Sequence, residues 1–350
     1  MLTKTKEKLG SWAYRCKTFA HAFKTLYTLP QEKVDAFIKS YKIYDYDWAD
    51  EKQLLAELGP NYYEKIKQGL VDWYSVLNYL CALGQVEKMY IPPAVDPTKN
   101  ILTNQVLFER MLAQDLGLKK GDRALDIGCG RGRIAGHIAS VSGAHVTGIN
   151  IDETQLKSAE KYAREKGLPC EYKNGDVNSL PFPFPDGSFD GVYHVQVFSL
   201  SKDMGKLFKE IYRLLKPGAR FGCLDWVRLP AYNPQDPHHV DLMRRVKPLI
   251  GAIGTLSPEE YTAYLKEAGF KILIDRNASV DGLTSALIDR ADQFFTRLTR
   301  LVHFLVRIKA IPAHFRTLLD RLTMDGQAFV EADRKRLMTT SHYIVAEKPK

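Results

Sequence analysis

The run Leu125-Asp126-Ile127-Gly128-Cys129-Gly130-Arg131-Gly132 sets three glycines at alternate positions just after an acid. Glycine lets the backbone turn sharply and lets a ligand come close. The run lies where a short apolar strand should end and a helix begin. Ligands of parallel α/β sheets sit at the carboxyl ends of strands. Alone, such a loop fits a nucleotide-like ligand, a dinucleotide or a tight turn with no ligand. The dinucleotide register needs a glycine at 133, where this chain has Arg133.

Further pieces follow in order. Asn150 ends the next apolar run, where a polar side chain can hold a ribose. Gly175-Asp176 ends the third, where a carboxylate can accept a hydrogen bond from an adenine amino group. Pro183-Phe184-Pro185-Asp186-Gly187-Ser188-Phe189-Asp190-Gly191-Val192-Tyr193 leads into the fourth, and Leu214-Leu215-Lys216-Pro217-Gly218-Ala219 precedes the fifth.

The elements that must position these residues are readable from periodicity. From 119 to about 228, short apolar runs alternate with amphipathic stretches. That pattern predicts an α/β fold with a Rossmann-like, mostly parallel sheet and helices on both faces. Strands are expected at Arg123–Ile127, Ala144–Ile149, Cys170–Asn174, Phe189–Val197 and Arg220–Trp226, and helices at about 131–141, 152–167 and 203–215. One more helix and strand are expected within 256–275, mostly helix over 281–340, and a closing strand at Ser341–Glu347. The proline-punctuated run Ile91–Pro97 reads as a linker. The expected organisation is a helical N-terminal cap or lid at 1–95, a cofactor-binding core at 96–230, and a C-terminal acceptor-binding region at 231–350 that completes the sheet.

Taken together, the ladder of motifs resembles that of the class I S-adenosylmethionine-dependent methyltransferases. The resemblance implies S-adenosyl-L-methionine as cofactor. It implies that Asp126, Gly128 and Gly130 shape the methionine and ribose end of the pocket, with Asp126 on the amino group directly or through water. It places Asn150 on the ribose hydroxyls, Asp176 and Val177 on the adenine, and Gln155 and Tyr193 in the same cofactor set.

Within that superfamily, Gly148-Ile149-Asn150 with Gln155, the helix end Glu210–Gly218, Asp225-Trp226-Val227 with Tyr232, and the aromatic basic tail 293–347 resemble the sterol 24-C-methyltransferases. Tyr62-Tyr63 stands where that family has a Tyr-Tyr pair. The chain also departs from the family. Trp73-Tyr74-Ser75-Val76-Leu77-Asn78 replaces a Tyr-Glu-Tyr-Gly-Trp-Gly segment, and Val195-Gln196-Val197-Phe198-Ser199-Leu200 lacks the acid and the histidine of an Ile-Glu-Ala-Thr-x-His run. Arg133 replaces a glycine.

The resemblance implies methyl transfer to an alkene carbon of a hydrophobic isoprenoid such as a sterol, triterpene or terpenoid. Such chemistry wants close placement, a dry cavity and aromatic faces that steady a developing cation. Tyr62, Tyr63, Trp73, Tyr74, Tyr193 and Trp226 are the candidates for that wall, and Tyr232 for acceptor contact. A base then removes a proton, and Asp225 is the remaining acid at a strand end, the candidate to orient the cation or accept that proton. If the acceptor were a hydroxyl or amine, a base would help, and His194 and His238-His239 are the histidines to consider. The alternatives are an O- or N-methyltransferase of a small specialised metabolite and a non-catalytic binding module.

Composition narrows the rest. No stretch reaches the roughly 18 apolar residues of a membrane span. Five scattered cysteines, with no Cys-x-x-Cys spacing, indicate neither a disulfide framework nor a zinc site and make a cytoplasmic location the default. A net charge of +9 suits a nucleic acid, an anionic membrane or a solvated surface. An Asn/Asp-Pro-Pro-Tyr/Phe signature is absent, so a nucleic-acid partner is not expected. Residues 1–30 lack the apolar core of a secretory signal, but Leu9, Trp12, Cys16, Phe19, Phe23 and Leu26 form a helical stripe opposite a lysine-rich face. In the tail, Phe294, Phe295, Leu298, Leu301, Val302, Leu305 and Ile308 recur at helical spacing among Arg297, Arg300, Arg307 and Lys309. Both segments make peripheral contact with an internal membrane a reading to test, beside packing on the core. A homo-oligomer remains open.

Overall fold

The computed structural model describes residues 16–83 and 87–350. From the amino end come α1 (residues 16–27), α2 (Gln31–Ser40), α3 (Glu51–Leu58), α4 (Tyr62–Leu83) and α5 (Ile101–Asp115). Then follow β1 (Arg123–Ile127), α6 (Arg133–Ser142), β2 (His145–Asn150), α7 (Glu153–Lys166), β3 (Cys170–Asn174), β4 (Phe189–Val195), α8 (Met204–Leu214) and β5 (Leu215–Arg228). The chain continues with α9 (Pro237–Ile250), α10 (Pro258–Glu267), β6 (Lys271–Asn277), α11 (Ser285–Arg307), α12 (His314–Thr323), α13 (Gly326–Arg334) and β7 (Met338–Glu347).

The strands form one sheet in the order β3-β2-β1-β4-β5-β7-β6. β1 to β5 are parallel, and β7 runs antiparallel between β5 and β6. This is the Rossmann-like α/β architecture expected from the alternation of strands and helices. Successive side chains on a strand point to opposite faces, and here each face has its own core. On one face Ala124, Tyr193, Val195, Leu224 and Tyr343 pack with Phe108 and Leu112 of α5 and Ala135 and Ile138 of α6. On the other, Leu125, Val192, Phe221, Cys223 and Ile344 pack with Leu207, Phe208 and Ile211 of α8 and Tyr261 and Leu265 of α10.

Local sequence explains where the helices begin. The carboxylates of Asp152, Asp203 and Asp236 each accept from backbone amides in the first turn of α7, α8 and α9. Ser257 and Glu260 form a reciprocal cap on α10. β5 begins at Leu215, ahead of the expected Arg220. Leu215 pairs with Phe189, the ladder then shifts, and regular pairing resumes at Gly191 and Arg220. β7 likewise begins at Met338, three residues before the expected Ser341, because Met338 and Thr339 pair with Arg228 and Val227.

The chain divides into two compact units that do not follow the consecutive boundaries 1–95, 96–230 and 231–350. One comprises Met1–Ile43, Leu55–Met89 and Ala291–Met324; the other comprises Tyr44–Leu54, Tyr90–Arg290 and Asp325–Lys350. The tail splits because β7 must return to the sheet, whereas α12 packs on α2. Likewise the segment Tyr44–Leu54, expected in the cap, belongs to the sheet unit.

In the described part of the helical unit, α2 packs along α4. Val34 and Phe37 of α2, and Ile66, Leu70, Trp73, Leu77 and Leu80 of α4, are buried at helical spacing. The expected N-terminal stripe is only partly buried. Leu26 is buried and Phe23 half-buried, but Cys16 and Phe19 are exposed. Leu9 and Trp12 lie outside the described residues. No helix among the described residues is long and apolar enough to cross a membrane.

Candidate functional site

The glycine loop leaves β1 and is fastened to the end of β2, since the amides of Gly128 and Cys129 both donate to the Ile149 carbonyl, at 2.8 and 3.0 Å. Gly128 has φ of 74°, a left-handed conformation that disfavours any side chain, and a Cβ there would run into Val197. The loop is therefore a cradle of bare backbone. Arg133, at the position of the missing third glycine, does not fill it. Its guanidinium stacks over the Tyr162 ring at 3.9 Å.

Asp126 stands at the carboxyl end of β1 and is buried. Its register partner on β4 is Tyr193, also buried. The Asp126 Oδ2 and the Tyr193 hydroxyl have no hydrogen-bond partner among the described residues. Burial pushes the Asp126 carboxyl well above the usual carboxylate range, and the charge of Glu109 adds to this. The Tyr193 hydroxyl beside it favours the carboxylate and opposes the rise. Burial also raises the Tyr193 hydroxyl well above its ordinary value, and Asp126 reinforces that. Buried polar groups are nearly always bonded, so the pair has capacity for a further polar partner.

Asn150 ends β2 and donates to Gln155 Oε1 at 2.8 Å, while Asp152 between them caps α7. The two amides expected in the cofactor set thus form one buried unit at the start of α7. Asp176 follows β3, is buried, and accepts from the Asn178 amide at 2.9 Å. Val177 beside it packs against the apolar core. The residues expected to hold the cofactor therefore all lie at or just beyond the carboxyl ends of β1 to β4. A buried carboxylate for an ammonium, open backbone for close approach and amides for hydroxyls fit S-adenosylmethionine.

The acceptor-side candidates fall out differently. Asp225 on β5 is buried and accepts three hydrogen bonds, from Phe198 N at 3.0 Å, Trp226 N at 2.8 Å and Tyr261 Oη at 2.8 Å. Burial raises its pKa to about 6, and these bonds oppose the rise. It holds the turn after β4 and has no capacity aimed at a substrate. His194 points to the face opposite Tyr193 and is fully buried, with its ring stacked on Phe198 at 3.4 Å. Among the described residues neither ring nitrogen has a hydrogen-bond partner, and burial alone pushes its pKa well below the usual histidine value. It packs as a core side chain. Trp226 is buried under α9 and α13 among Leu242, Met243, Val246, Phe329 and Leu337, so its ring forms no exposed wall.

Tyr232 is half-buried and lines an open cleft of about 760 Å³ beyond the end of β5, with Tyr44, Arg228, Met243 and Lys247. The other four aromatics belong to the helical unit. Tyr62 and Trp73 are buried on α4, Tyr63 and Tyr74 are half-buried, and the Trp73 and Tyr74 rings meet edge to face at 4.8 Å. His238 pairs with Glu331 at 2.7 Å, and His239 lies 3.6 Å from Asp236.

Three features escaped sequence reasoning. Gln196, with φ of 55°, clamps the linker. Its Oε1 accepts from Ile91 N at 3.0 Å, and its Nε2 donates to Ile91 O at 2.8 Å and Thr340 O at 3.0 Å. A carboxylate could not make the last two bonds, which gives a physical reason for an amide here. Behind Asp126, the buried Glu109 accepts from the Tyr90 hydroxyl at 2.8 Å and meets His137 Nδ1 at 2.5 Å. Across the carboxyl edge, the Trp48 indole donates to Ser199 O at 3.1 Å, and Lys247 donates to Tyr46 O at 2.8 Å. Nothing in the local spacing of 44–54 signals that role.

Comparison with known proteins adds the family. Residues 125–223 match the methyltransferase domain family. A sterol 24-C-methyltransferase of Gibberella zeae is 30% identical over 263 residues, covering 69% of this chain and 68% of that protein. The cycloartenol-C-24-methyltransferase of Arabidopsis thaliana is 27% identical over 257 residues, covering 69% and 75%. Among solved structures, a geranyl diphosphate C-methyltransferase from Streptomyces coelicolor aligns with a TM-score of 0.54 at 18% identity, covering 71% of this chain and 82% of that one. A cyclopropane synthase of Mycobacterium tuberculosis aligns with a TM-score of 0.57 at 13% identity, covering 75% and 89%. These two carry the likeness of fold. With its cofactor cradle, its strand order and its kinship to the sterol enzymes, the chain belongs to the class I S-adenosylmethionine-dependent methyltransferases and, within them, to the family of the sterol 24-C-methyltransferases.

Proposed function

We propose that this enzyme transfers a methyl group to an alkene carbon of a hydrophobic isoprenoid, of the sterol, triterpene or terpenoid class. S-adenosylmethionine supplies an electrophilic methyl on its sulfonium. Asp126 accepts from the cofactor's ammonium, with Tyr193 beside it. Gly128 and Gly130 let the backbone close on the methionine and ribose end. Asn150, fixed by Gln155, meets the ribose, and Asp176 with Val177 holds the adenine.

One observation favours an alkene over a hydroxyl or amine acceptor. Asp225 and His194, the acid and the base considered for the acceptor side, both lie in the core on the face away from Tyr193. An oxygen or nitrogen acceptor gains from a base that takes its proton. An alkene attacks with its own electron pair, so no base is needed to make the nucleophile, and the carbocation left by methyl transfer afterwards gives up its proton to a base or to water. The chain's work is then to bind, orient and exclude water. Kinship with the sterol 24-C-methyltransferases supports the same acceptor class.

The test is incubation of the purified enzyme with isotope-labelled S-adenosylmethionine and a lipid extract, followed by mass spectrometry. The expected product is a carbon-methylated isoprenoid. A labelled methyl ether or methylamine, with no carbon-methylated lipid, overturns the reading.

A further inference from the structure

α11 is unusual in what it leaves outside. Its inner face is ordinary, with Leu287 and Val302 buried. Its outer face carries Phe294, Leu301, Phe304 and then Ile308 just past its end, exposed by 50%, 53%, 57% and 54%. Their spacings of 7, 3 and 4 residues place them along a single stripe of the helix surface. An amphipathic helix of a water-facing domain would put polar side chains there. Single exposed apolar residues need no explanation, but a continuous stripe does.

The charge beside the stripe is of one sign. Arg297, Arg300, Arg307 and Lys309 are exposed around it, and from Gln293 to Ala310 there is no Asp or Glu. Among the described residues, none of these four cations has an ion-pair partner. A second copy of the chain would bring the same four cations against them, which argues against self-pairing. Nucleic acid would satisfy the cations and leave the four apolar side chains in water. An anionic bilayer satisfies both, since its headgroups take the cations and its acyl boundary takes the apolar stripe.

We infer that the outer face of α11 docks on an anionic lipid bilayer, with Phe294, Leu301, Phe304 and Ile308 in the interface and Arg297, Arg300, Arg307 and Lys309 on the headgroups. The inference stands on this helix alone and does not depend on the acceptor.

The test uses the full chain and flotation with vesicles of phosphatidylcholine, with and without about one third phosphatidylserine. Binding to the anionic vesicles, weak binding to the neutral ones and loss at high salt are expected. Arg300→Gln and Arg307→Gln should each weaken binding about fivefold, the equivalent of about 1 kcal/mol per basic residue. Phe304→Ser should weaken it at every salt concentration. All three positions are exposed, so unchanged thermal unfolding confirms that the variants are folded. Equal binding to both vesicle types, or to neither, overturns the inference. So does a dimer that Phe304→Ser dissociates in a protein without lipid affinity. Methyl transfer is not the readout, so failure here leaves the reading of the acceptor untouched.

Discussion

Asp126 and Tyr193 are side-by-side partners across β1 and β4, and the buried Asp126 Oδ2 and Tyr193 hydroxyl find no hydrogen-bond partner among the described residues. Such a pair costs stability on its own, about 1–3 kcal/mol for each unmet group. A cationic ligand turns that cost into affinity.

The first prediction follows from the sign of the Asp126 shift. Burial holds its carboxyl above the ordinary range. An ammonium favours the carboxylate, so cofactor binding should expel a proton, and affinity should rise as pH climbs through the pKa of the free enzyme. Calorimetry in two buffers of different ionisation enthalpy measures the released proton. Asp126→Asn should abolish the release and weaken binding about 10- to 100-fold, as expected for losing a charge-assisted hydrogen bond. Undiminished affinity in that variant would mean that the cofactor sits elsewhere.

Gly128→Ala should injure the loop twice. It strains a backbone with φ of 74°, and its methyl meets Val197. A loss of about 1–2 kcal/mol in stability is expected from the backbone alone, together with a drop in cofactor affinity. Adding Val197→Ala removes the collision but not the strain. Recovery in the double variant should therefore be partial in both thermal unfolding and titration. Full recovery would show that the left-handed turn carries no cost.

Gln196→Glu asks why this position carries an amide and not a carboxylate. The substitution removes the donor to Ile91 O and Thr340 O and sets a negative charge against both. The variant should unfold about 1–3 kcal/mol more easily at pH 8. The deficit should shrink toward pH 5, where a protonated carboxyl regains one donor. A deficit independent of pH would point to packing instead.

Asp225 makes stability depend on pH in a definite direction. Its folded pKa is about 6, above an unfolded value of about 3.9. Its contribution is complete below the unfolded value and lost as pH rises through the folded one. Between pH 4 and 7 the wild type should therefore lose up to about 3 kcal/mol through this group. Asp225→Asn should lack that decline, so denaturant titrations at the two pH values should show the gap between the proteins narrowing. A constant gap would mean that Asp225 is ionised throughout.

Much of this was readable in the residues. The parallel strands are short apolar runs closed by glycine or an acid, so β1 and β3 were placed to the residue and the others to within a few. The cofactor set came from the same strand ends. The misreadings have specific physical causes. His194 is a candidate base for a hydroxyl or amine acceptor because it lies beside the cofactor motifs in sequence, yet strand alternation turns neighbours to opposite faces. If Tyr193 shares a face with Asp126, His194 cannot. Trp226 looked like a cavity wall, but α9 and α13 cover it, and that packing is between segments far apart in sequence. The same applies to the segment at Tyr44–Leu54 and to the division of the tail between two units.

The antiparallel insertion of β7 orders how the molecule can be made. A ribosome delivers β5 and β6 well before residues 338–347, which alone bridge them. Until then a nascent chain carries two unzipped strand margins, one of them at the heart of the future sheet. Completion of the sheet is thereby deferred until residues 338–347 have been made. Stop codons ahead of β7 should yield a sticky, protease-sensitive product with β5 and β6 unbridged.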